Sequence, residues 1–154
     1  MPRHFVLAEV IAETLHALSP SLKGKPHRVV TEIPPDITLQ SQPGALGQVI
    51  INLVNNAYLH AFEGRDDGVL SISAQAADGW VTIKITDNGR GMSPEQVERL
   101  DDPFFSTKKG QGGSGLGMAI VRNLVSKTLG GRVSVNSALG QGTSFTIELP
   151  TGMA

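Results

Sequence analysis

The sequence predicts a single α+β domain, a two-layer sandwich whose mixed, mostly antiparallel sheet is covered on one face by about three helices. Residues 69–76 and 80–86 alternate between apolar and polar side chains on either side of the turn Asp78-Gly79, which is the pattern of a β-hairpin. After Pro43, apolar residues recur at helical spacing as far as residue 61 and predict a long amphipathic helix. The 154 residues hold neither an internal repeat nor a linker-like segment, so we expect one domain over residues 1–154.

The elements ahead of this long helix are short. Apolar residues between positions 8 and 18 recur at helical spacing and predict a helix. We expect Pro20 and then Lys23-Gly24-Lys25-Pro26 to end that helix, because proline lacks the backbone N–H that donates to the preceding turn. Short strands are predicted at residues 5–7, 27–33 and 37–40.

Beyond the hairpin the chain predicts two more helices and two more strands. Ser93-Pro94 has the residue types of a helix cap and first turn, and the helix it begins is short. Helical periodicity is lost between residues 101 and 114, resumes at Leu116 and ends at Gly130-Gly131. The last strands are predicted at residues 132–136 and 143–150.

The composition excludes several classes of function. Cysteine is absent, which excludes disulfides, thiolate metal sites and thiol catalysis. With 13 basic and 14 acidic residues the formal net charge is −1, so nothing favours nucleic acid or an anionic membrane as a partner. No apolar run approaches the roughly 20 residues that cross a bilayer, and no secretory signal is visible. We therefore expect a cytoplasmic protein, or the cytosolic part of a membrane-bound one.

Two asparagines on the long helix are candidate metal and phosphate ligands. Asn52 and Asn56 are four residues apart, so both side chains project from one helix face. An amide oxygen is a suitable hard ligand for Mg²⁺, which usually also bridges to substrate phosphates. The alternative is a solvated polar face. Asparagine is a poor helix former, however, and three asparagines lie between residues 52 and 56.

The segment Asp87-Asn88-Gly89-Arg90-Gly91 directly follows a predicted strand. Its glycines allow the backbone to bend beneath a ligand while the carboxylate faces that ligand. A buried carboxylate can accept a hydrogen bond from the exocyclic amine of adenine, whereas guanine presents a carbonyl at that position. The alternative is an ordinary turn between two elements.

The glycine-rich segment Gly113-Ser114-Gly115-Leu116-Gly117 runs directly into the helix that begins near Leu116. Backbone amides at a helix N-terminus attract phosphate groups, and glycine permits their close approach. Residues 110–115 also fit the dinucleotide string G-x-G-x-x-G, but no long strand precedes them and no acid stands about 20 residues further on. A flexible linker remains the alternative.

Two further segments complete the set of candidates. Phe104-Phe105 could anchor a lid on the core, and Lys108-Lys109 could reach phosphate oxygens when that lid closes. Alternatively, the phenylalanines only fill a core and the lysines are merely solvated. Gly142-Thr143 opens the last strand, where the glycine either leaves room for a base or makes a turn.

In their order and spacing these segments resemble the nucleotide-binding boxes of the GHKL family, also called the Bergerat fold, and in particular the catalytic domain of sensor histidine kinases. The resemblance covers essentially the whole chain. It implies ATP and Mg²⁺ as cofactors and a flexible ATP lid at about residues 101–114. The segments that resemble the N box, the first glycine box, the F box and the second and third glycine boxes are residues 48–60, 87–92, 103–108, 113–120 and 140–145.

The resemblance also implies a role for individual residues. Asn56 would coordinate Mg²⁺, Asn52 would support the phosphate end, and Asp87 would bind adenine. The residues implied in catalysis are Asn52, Asn56 and Lys108. The residues implied in nucleotide binding are Asn56, His60, Asp87, Gly89, Gly91, Met92, Phe105, Lys108, Lys109, Gly113, Ser114, Gly115, Leu116, Gly117 and Thr143. Leu59 stands where some members carry a basic residue, so that charge would come from Lys108 or Lys109.

Position 52 separates the subfamilies. In the hydrolysing ATPases of this fold and in anti-sigma serine kinases, a glutamate four residues before the metal-binding asparagine serves as general base. Asn52 cannot take up a proton, whereas a histidine imidazole already has a lone pair for attack on the γ-phosphate. The residue therefore favours phosphoryl transfer to histidine, with a self-contained ATPase, a serine kinase or a non-catalytic nucleotide-sensing module as alternatives.

The acceptor histidine is expected on another polypeptide segment. In histidine kinases it lies on a helical dimerisation hairpin, usually followed by an acid. The histidines of this chain are His4, His16, His27 and His60, and none of them is followed by Asp or Glu. The implied partners are therefore a dimerisation and phosphoacceptor hairpin and a downstream response regulator, with no nucleic acid and no membrane contact by this domain itself.

Overall fold

The computed structural model describes residues 3–62, 64, 66–98 and 117–152, and for residues 59, 60 and 117 it describes the backbone alone. The implied lid at residues 101–114 lies outside this part of the chain. In chain order the elements are β1 Arg3–Val6, α1 Leu7–Leu22, β2 Arg28–Glu32, β3 Thr38–Ser41, α2 Pro43–Asn56, β4 Val69–Ala77, β5 Trp80–Asp87, α3 Pro94–Glu98, α4 Gly117–Asn123, β6 Arg132–Ser137 and β7 Thr143–Pro150. A π-helical turn, Ala57–Ala61, extends α2, and a second, Leu124–Thr128, extends α4.

The main sheet is mixed and mostly antiparallel, as the sequence predicted. Its strand order is β2-β4-β5-β7-β6. Strand β2 runs parallel to β4, and the other neighbours are antiparallel. Strands β1 and β3 form a separate antiparallel pair. The backbone N–H of Gln40 in β3 donates to the carbonyl oxygen of Thr151 just after β7, which attaches this pair to the domain.

The core lies between one face of the main sheet and the helices. Alternation along the central strands buries Val81, Ile83 and Ile85 of β5 against the core. Helix α2 contributes a stripe at helical spacing whose buried members include Leu46, Ile50 and Leu53. Helix α2 also packs against α1 and α4, so the predicted layer of helices on one face of the sheet is confirmed.

The expectation that the first helix begins to end at Pro20 is wrong, because α1 continues through Pro20 to Leu22; its end at the segment Lys23-Gly24-Lys25-Pro26 is confirmed. Proline cannot donate to the carbonyl oxygen of His16 one turn earlier. The hydroxyl of Ser19 donates to that oxygen instead, at 2.8 Å. The acceptor is therefore satisfied, and the helix passes the proline before it ends at Lys23, whose N–H donates to the Ser19 carbonyl.

The long helix after Pro43 is confirmed, but its last turn is not α-helical. Regular α-helix ends at Asn56, and residues Ala57–Ala61 form the π turn. Hydrophobic spacing did not reveal this change, because the apolar stripe continues into the π turn, where Ala57 is buried. No helix within the described residues is long and apolar enough to span a bilayer.

Candidate functional site

The carboxylate of Asp87 is buried at the end of β5, with 5% of the residue exposed. Its Oδ1 accepts a hydrogen bond from the backbone N–H of Gly89 at 2.8 Å and from that of Thr143 at 3.2 Å. Thr143 is the residue opposite Asp87 on β7, and it is also buried. These backbone donors fix the orientation of the carboxyl group, which the sequence analysis had placed at a strand end.

The turn that follows Asp87 rests directly on the π turn at the end of α2. The N–H of Arg90 donates to the carbonyl oxygen of Ala61 at 3.0 Å. A Cβ atom at Gly89 would overlap that same carbonyl group, so only glycine allows this approach. The two segments predicted to form one site, the asparagine-bearing helix and the Asp87 turn, are therefore joined through Ala61.

The third glycine segment closes the other side of the turn. Gly91 and Gly142 both have positive φ angles, 70° and 77°. A Cβ at Gly91 would overlap the carbonyl oxygen of Ala138, and one at Gly142 would overlap the carbonyl oxygen of Asp87. Gly142 thus allows the backbone at the start of β7 to touch the backbone of Asp87. This contact places Gly142 and the adjacent Thr143 beside Asp87.

Ser137 at the end of β6 connects these segments, although it is not among the residues predicted from the sequence. Its hydroxyl donates to the carbonyl oxygen of Gly142 at 2.9 Å and accepts from the N–H of Met92 at 2.9 Å. It also lies 2.8 Å from the Thr143 hydroxyl. Because the single Ser137 proton is directed to Gly142, the Thr143 hydroxyl is the donor of that contact. A lone serine after a strand carries no sequence signal for such a role.

Asn52 and Asn56 both lie on α2 and are half-buried, whereas their neighbour Asn55 is exposed. Asn56 is the last α-helical residue before the π turn that holds Arg90. The Nε2 of Gln48 donates to the Oδ1 of Asn52 at 2.7 Å, one helical turn apart. On the helix face predicted for the two asparagines, the Asn52 amide therefore already has a hydrogen-bond partner, Gln48.

Aromatic rings pack together at the π turn that follows α2. His27 of the segment before β2 packs against Tyr58 and Phe62, with ring centroids 5.4 and 4.6 Å away. Its Nδ1 accepts from the N–H of Gly68 at 2.9 Å, which fixes the ring. Burial raises the pKa of Tyr58 above its ordinary value. This packing restrains the backbone that carries Asn56 and Ala61.

Several predicted site residues cannot be placed. Phe105, Lys108, Lys109, Gly113, Ser114, Gly115 and Leu116 lie outside the described residues. For His60 and Gly117 only the backbone is described: His60 belongs to the π turn, and Gly117 is the first residue of α4. Met118 beside it is buried in the core, with 4% exposed.

Comparison with known proteins gives a family match over most of the chain. Residues 41–153 match the model of the family described as histidine kinase-, DNA gyrase B- and HSP90-like ATPase. The chain is 37% identical over 146 residues to the sensor histidine kinase ZraS of Klebsiella oxytoca, covering 94% of the chain and 30% of that protein. It is 32% identical over 149 residues to sporulation kinase B of Bacillus subtilis, covering 97% of the chain and 34% of that protein. The chain thus spans about a third of the length of these relatives.

Solved structures agree with this match. The nucleotide-free catalytic domain of the histidine kinase ThkA superposes with a TM-score of 0.85 at 27% identity, covering 99% of this chain and 97% of that one. Full-length ShkA in complex with AMPPNP superposes with a TM-score of 0.83 at 28% identity, covering 99% of this chain and 32% of that one.

Proposed function

Because the chain belongs to the histidine kinase-, DNA gyrase B- and HSP90-like ATPase family, we propose that it binds Mg-ATP and transfers the γ-phosphate to a histidine. The acceptor histidine lies on a separate dimerisation hairpin of a sensor histidine kinase. The phosphate then passes to a response regulator in two-component signalling. We further propose that residues 1–154 are one catalytic domain and that it works in the cytoplasm, where ATP is available.

The observation that carries this proposal is the buried, oriented carboxylate of Asp87. Its Oδ1 is held by the N–H groups of Gly89 and Thr143, so the carboxyl group is fixed before any ligand arrives. Such a carboxylate accepts a hydrogen bond from the exocyclic amine of adenine. Guanine has a carbonyl oxygen at that position, so the carboxylate and the base would both present acceptors and repel each other. Gly91, Met92 and Thr143 belong to the segments packed beside Asp87 and are proposed to border the base.

The phosphates belong at the other end, beside α2. Asn56 offers a hard amide oxygen at the end of α2, and Mg²⁺ takes few protein ligands because it keeps waters and bridges phosphate oxygens. The residues present therefore fit a magnesium ion that arrives with the nucleotide. Bound there, the ion neutralises charge on the phosphates. His60, Phe105, Lys108, Lys109 and residues 113–117 are proposed to complete the phosphate and lid contacts.

Transfer to histidine rather than to water rests on position 52. An amide cannot accept the proton that a water or serine nucleophile must lose. An imidazole needs no such base, so positioning and charge neutralisation are sufficient for its phosphorylation. Asn52 is thus proposed to contact the phosphate end without acting as a base.

Calorimetric titration tests the binding half of the proposal. We expect the chain to bind ADP and ATP in the presence of Mg²⁺ and to bind GTP at least about tenfold more weakly, because one charged hydrogen bond is replaced by a repulsive contact. Absence of heat with ADP and ATP at millimolar concentration would refute nucleotide binding. Equal affinity for ATP and GTP would remove Asp87 from base recognition.

A transfer assay tests the catalytic half. Radiolabelled ATP is incubated with the chain, with and without a dimerisation hairpin supplied as a second polypeptide. We expect acid-labile phosphate on the hairpin and little phosphate release without it. Rapid release without the hairpin would favour a self-contained ATPase, and nucleotide binding with neither outcome would favour a sensing module.

A further inference from the structure

The side chains of Gln48 and Asn52 are hydrogen-bonded to each other along α2. Gln48 donates through Nε2, and Asn52 accepts through Oδ1, at 2.7 Å. The residues are four apart on α2, where side chains of successive turns meet. Gln48 itself is exposed, so burial does not account for its place.

A primary amide has an acceptor on one side and a donor on the other. When Oδ1 of Asn52 is engaged by Gln48, the Nδ2 group is directed away from Gln48. Asn56 lies one turn further along α2 in the opposite direction from Gln48, toward the proposed phosphate end. With its oxygen engaged by Gln48, Asn52 has its N–H donors left to offer to that end.

We propose that Gln48 is a positioning residue that holds Asn52 as a hydrogen-bond donor to the γ-phosphate. This inference rests on the proposed function and assigns different roles to the two asparagines: Asn56 presents an oxygen to the metal, and Asn52 presents N–H groups to phosphate oxygens. Donors aimed at the transferring group stabilise its charge in the transition state. An Asn52 amide turned by 180° would instead oppose an oxygen lone pair to the phosphate.

Substitutions of Gln48 that keep, remove or reverse its donor test this role. Gln48→Glu offers only acceptors, so Asn52 donates to it and turns its oxygen toward the phosphate. Gln48→Ala leaves the Asn52 amide free to adopt either orientation. Gln48→Arg keeps a donor. Transfer to the hairpin is expected to fall about 10- to 100-fold in Gln48→Glu, about 3- to 10-fold in Gln48→Ala, and least in Gln48→Arg.

The decrease is expected in kcat, with little change in ADP affinity, since ADP lacks the γ-phosphate. A loss of kcat with unchanged ADP binding and an unchanged melting temperature separates positioning from a structural role. Gln75→Glu makes the same charge change at an exposed position of β4 and is expected to leave transfer unaltered. In an Asn52→Ala background, Gln48→Ala should cause no further loss, because it acts only through Asn52.

Equal loss in Gln48→Glu and Gln48→Arg, or unaltered transfer in all three variants, would overturn the inference. So would a further loss from Gln48→Ala in the Asn52→Ala background. These outcomes differ from failure of the proposed function itself, in which the unsubstituted chain binds no ADP or phosphorylates no hairpin.

Discussion

The two ends of the candidate site are built differently. At the base end, Asp87 is held by backbone donors and by glycines that touch neighbouring backbone. At the phosphate end, Asn52 and Asn56 project from one face of a helix. The base end is built from the β5 terminus, the β6–β7 connection and the π turn after α2. The half-buried Asn52 makes its contact with an exposed side chain of its own helix, that of Gln48.

This difference matches the demands of the two ends. A base keeps its shape and charge throughout a phosphoryl transfer, so a rigid site binds it without the cost of ordering the chain. The phosphates change charge and geometry, and a metal ion and an acceptor must approach them. We therefore expect substitutions at the base end to change stability and affinity, and those at the phosphate end to change the rate of transfer.

The largest effect is expected from Asn56→Ala at the phosphate end. Loss of the proposed magnesium ligand should lower transfer to the hairpin about 10²- to 10³-fold, the range seen when one group that stabilises transition-state charge is removed. Binding of the adenosine moiety should persist because Asp87 is untouched. Asn55→Ala is the matched control, since Asn55 is exposed beside it on the same helix. Equal transfer by the two variants would contradict a metal role for Asn56.

Gly142→Ala probes the base end. Gly142 has a φ of 77°, and an added Cβ would overlap the Asp87 carbonyl oxygen. The left-handed backbone and the overlap together should lower the free energy of unfolding by about 3 kcal/mol or more. Gly140→Ala has the same φ of 77° but nothing within 4 Å of the new Cβ, so only about 1–2 kcal/mol is expected. Denaturant unfolding of the pair measures the difference, and equal losses would show that the close approach is unimportant.

Asp87→Asn should act on affinity more than on stability. The amide oxygen can still accept from Gly89 and Thr143, but its NH₂ group then meets the amine of adenine, donor against donor. ADP affinity should fall about 10- to 100-fold, the value of a hydrogen bond to a charged group. The preference for ATP over GTP should narrow as well. Asp78→Asn makes the same change in the exposed β4–β5 turn and should leave both unchanged, whereas a similar loss in both variants would point to a general charge effect.

The comparison also separates what sequence could predict from what it could not. Hydrophobic period and turn residues were sufficient for the hairpin, for the long helix after Pro43 and for Asp87 at a strand end, because each depends on local physics. The passage of α1 through Pro20 depends on a hydroxyl of Ser19 that replaces the missing donor. Such a replacement has no periodic signal, so the sequence placed the first stop at Pro20, whereas the helix continues to the second predicted stop at Lys23.

At the candidate site the sequence predicted that Gly89 and Gly91 let the backbone bend beneath a ligand, but it did not predict that they touch neighbouring backbone. Gly89 touches Ala61 and Gly91 touches Ala138, contacts between segments far apart in sequence. Ser137 joins three backbone or side-chain groups although nothing beside it in the chain marks it. Residues that act by position alone become visible only when the fold brings their partners together.

The smallest expected effect belongs to Ser137→Ala, which removes the hydroxyl shared by Met92, Gly142 and Thr143. Ser137 is half-buried, so water can replace part of what is lost, and the free energy of unfolding should fall by about 1 kcal/mol. Ser134→Ala, at an exposed position of the same strand, should stay within about 0.5 kcal/mol of the unsubstituted chain. ADP affinity should weaken slightly in Ser137→Ala, because the backbone around Thr143 and Asp87 loses a restraint. Transfer at saturating ATP should not change, since the asparagines of α2 are unaffected. A fall in that saturated rate would mean that the two ends of the site are coupled during the reaction, and the division between a rigid base end and an adaptable phosphate end would fail.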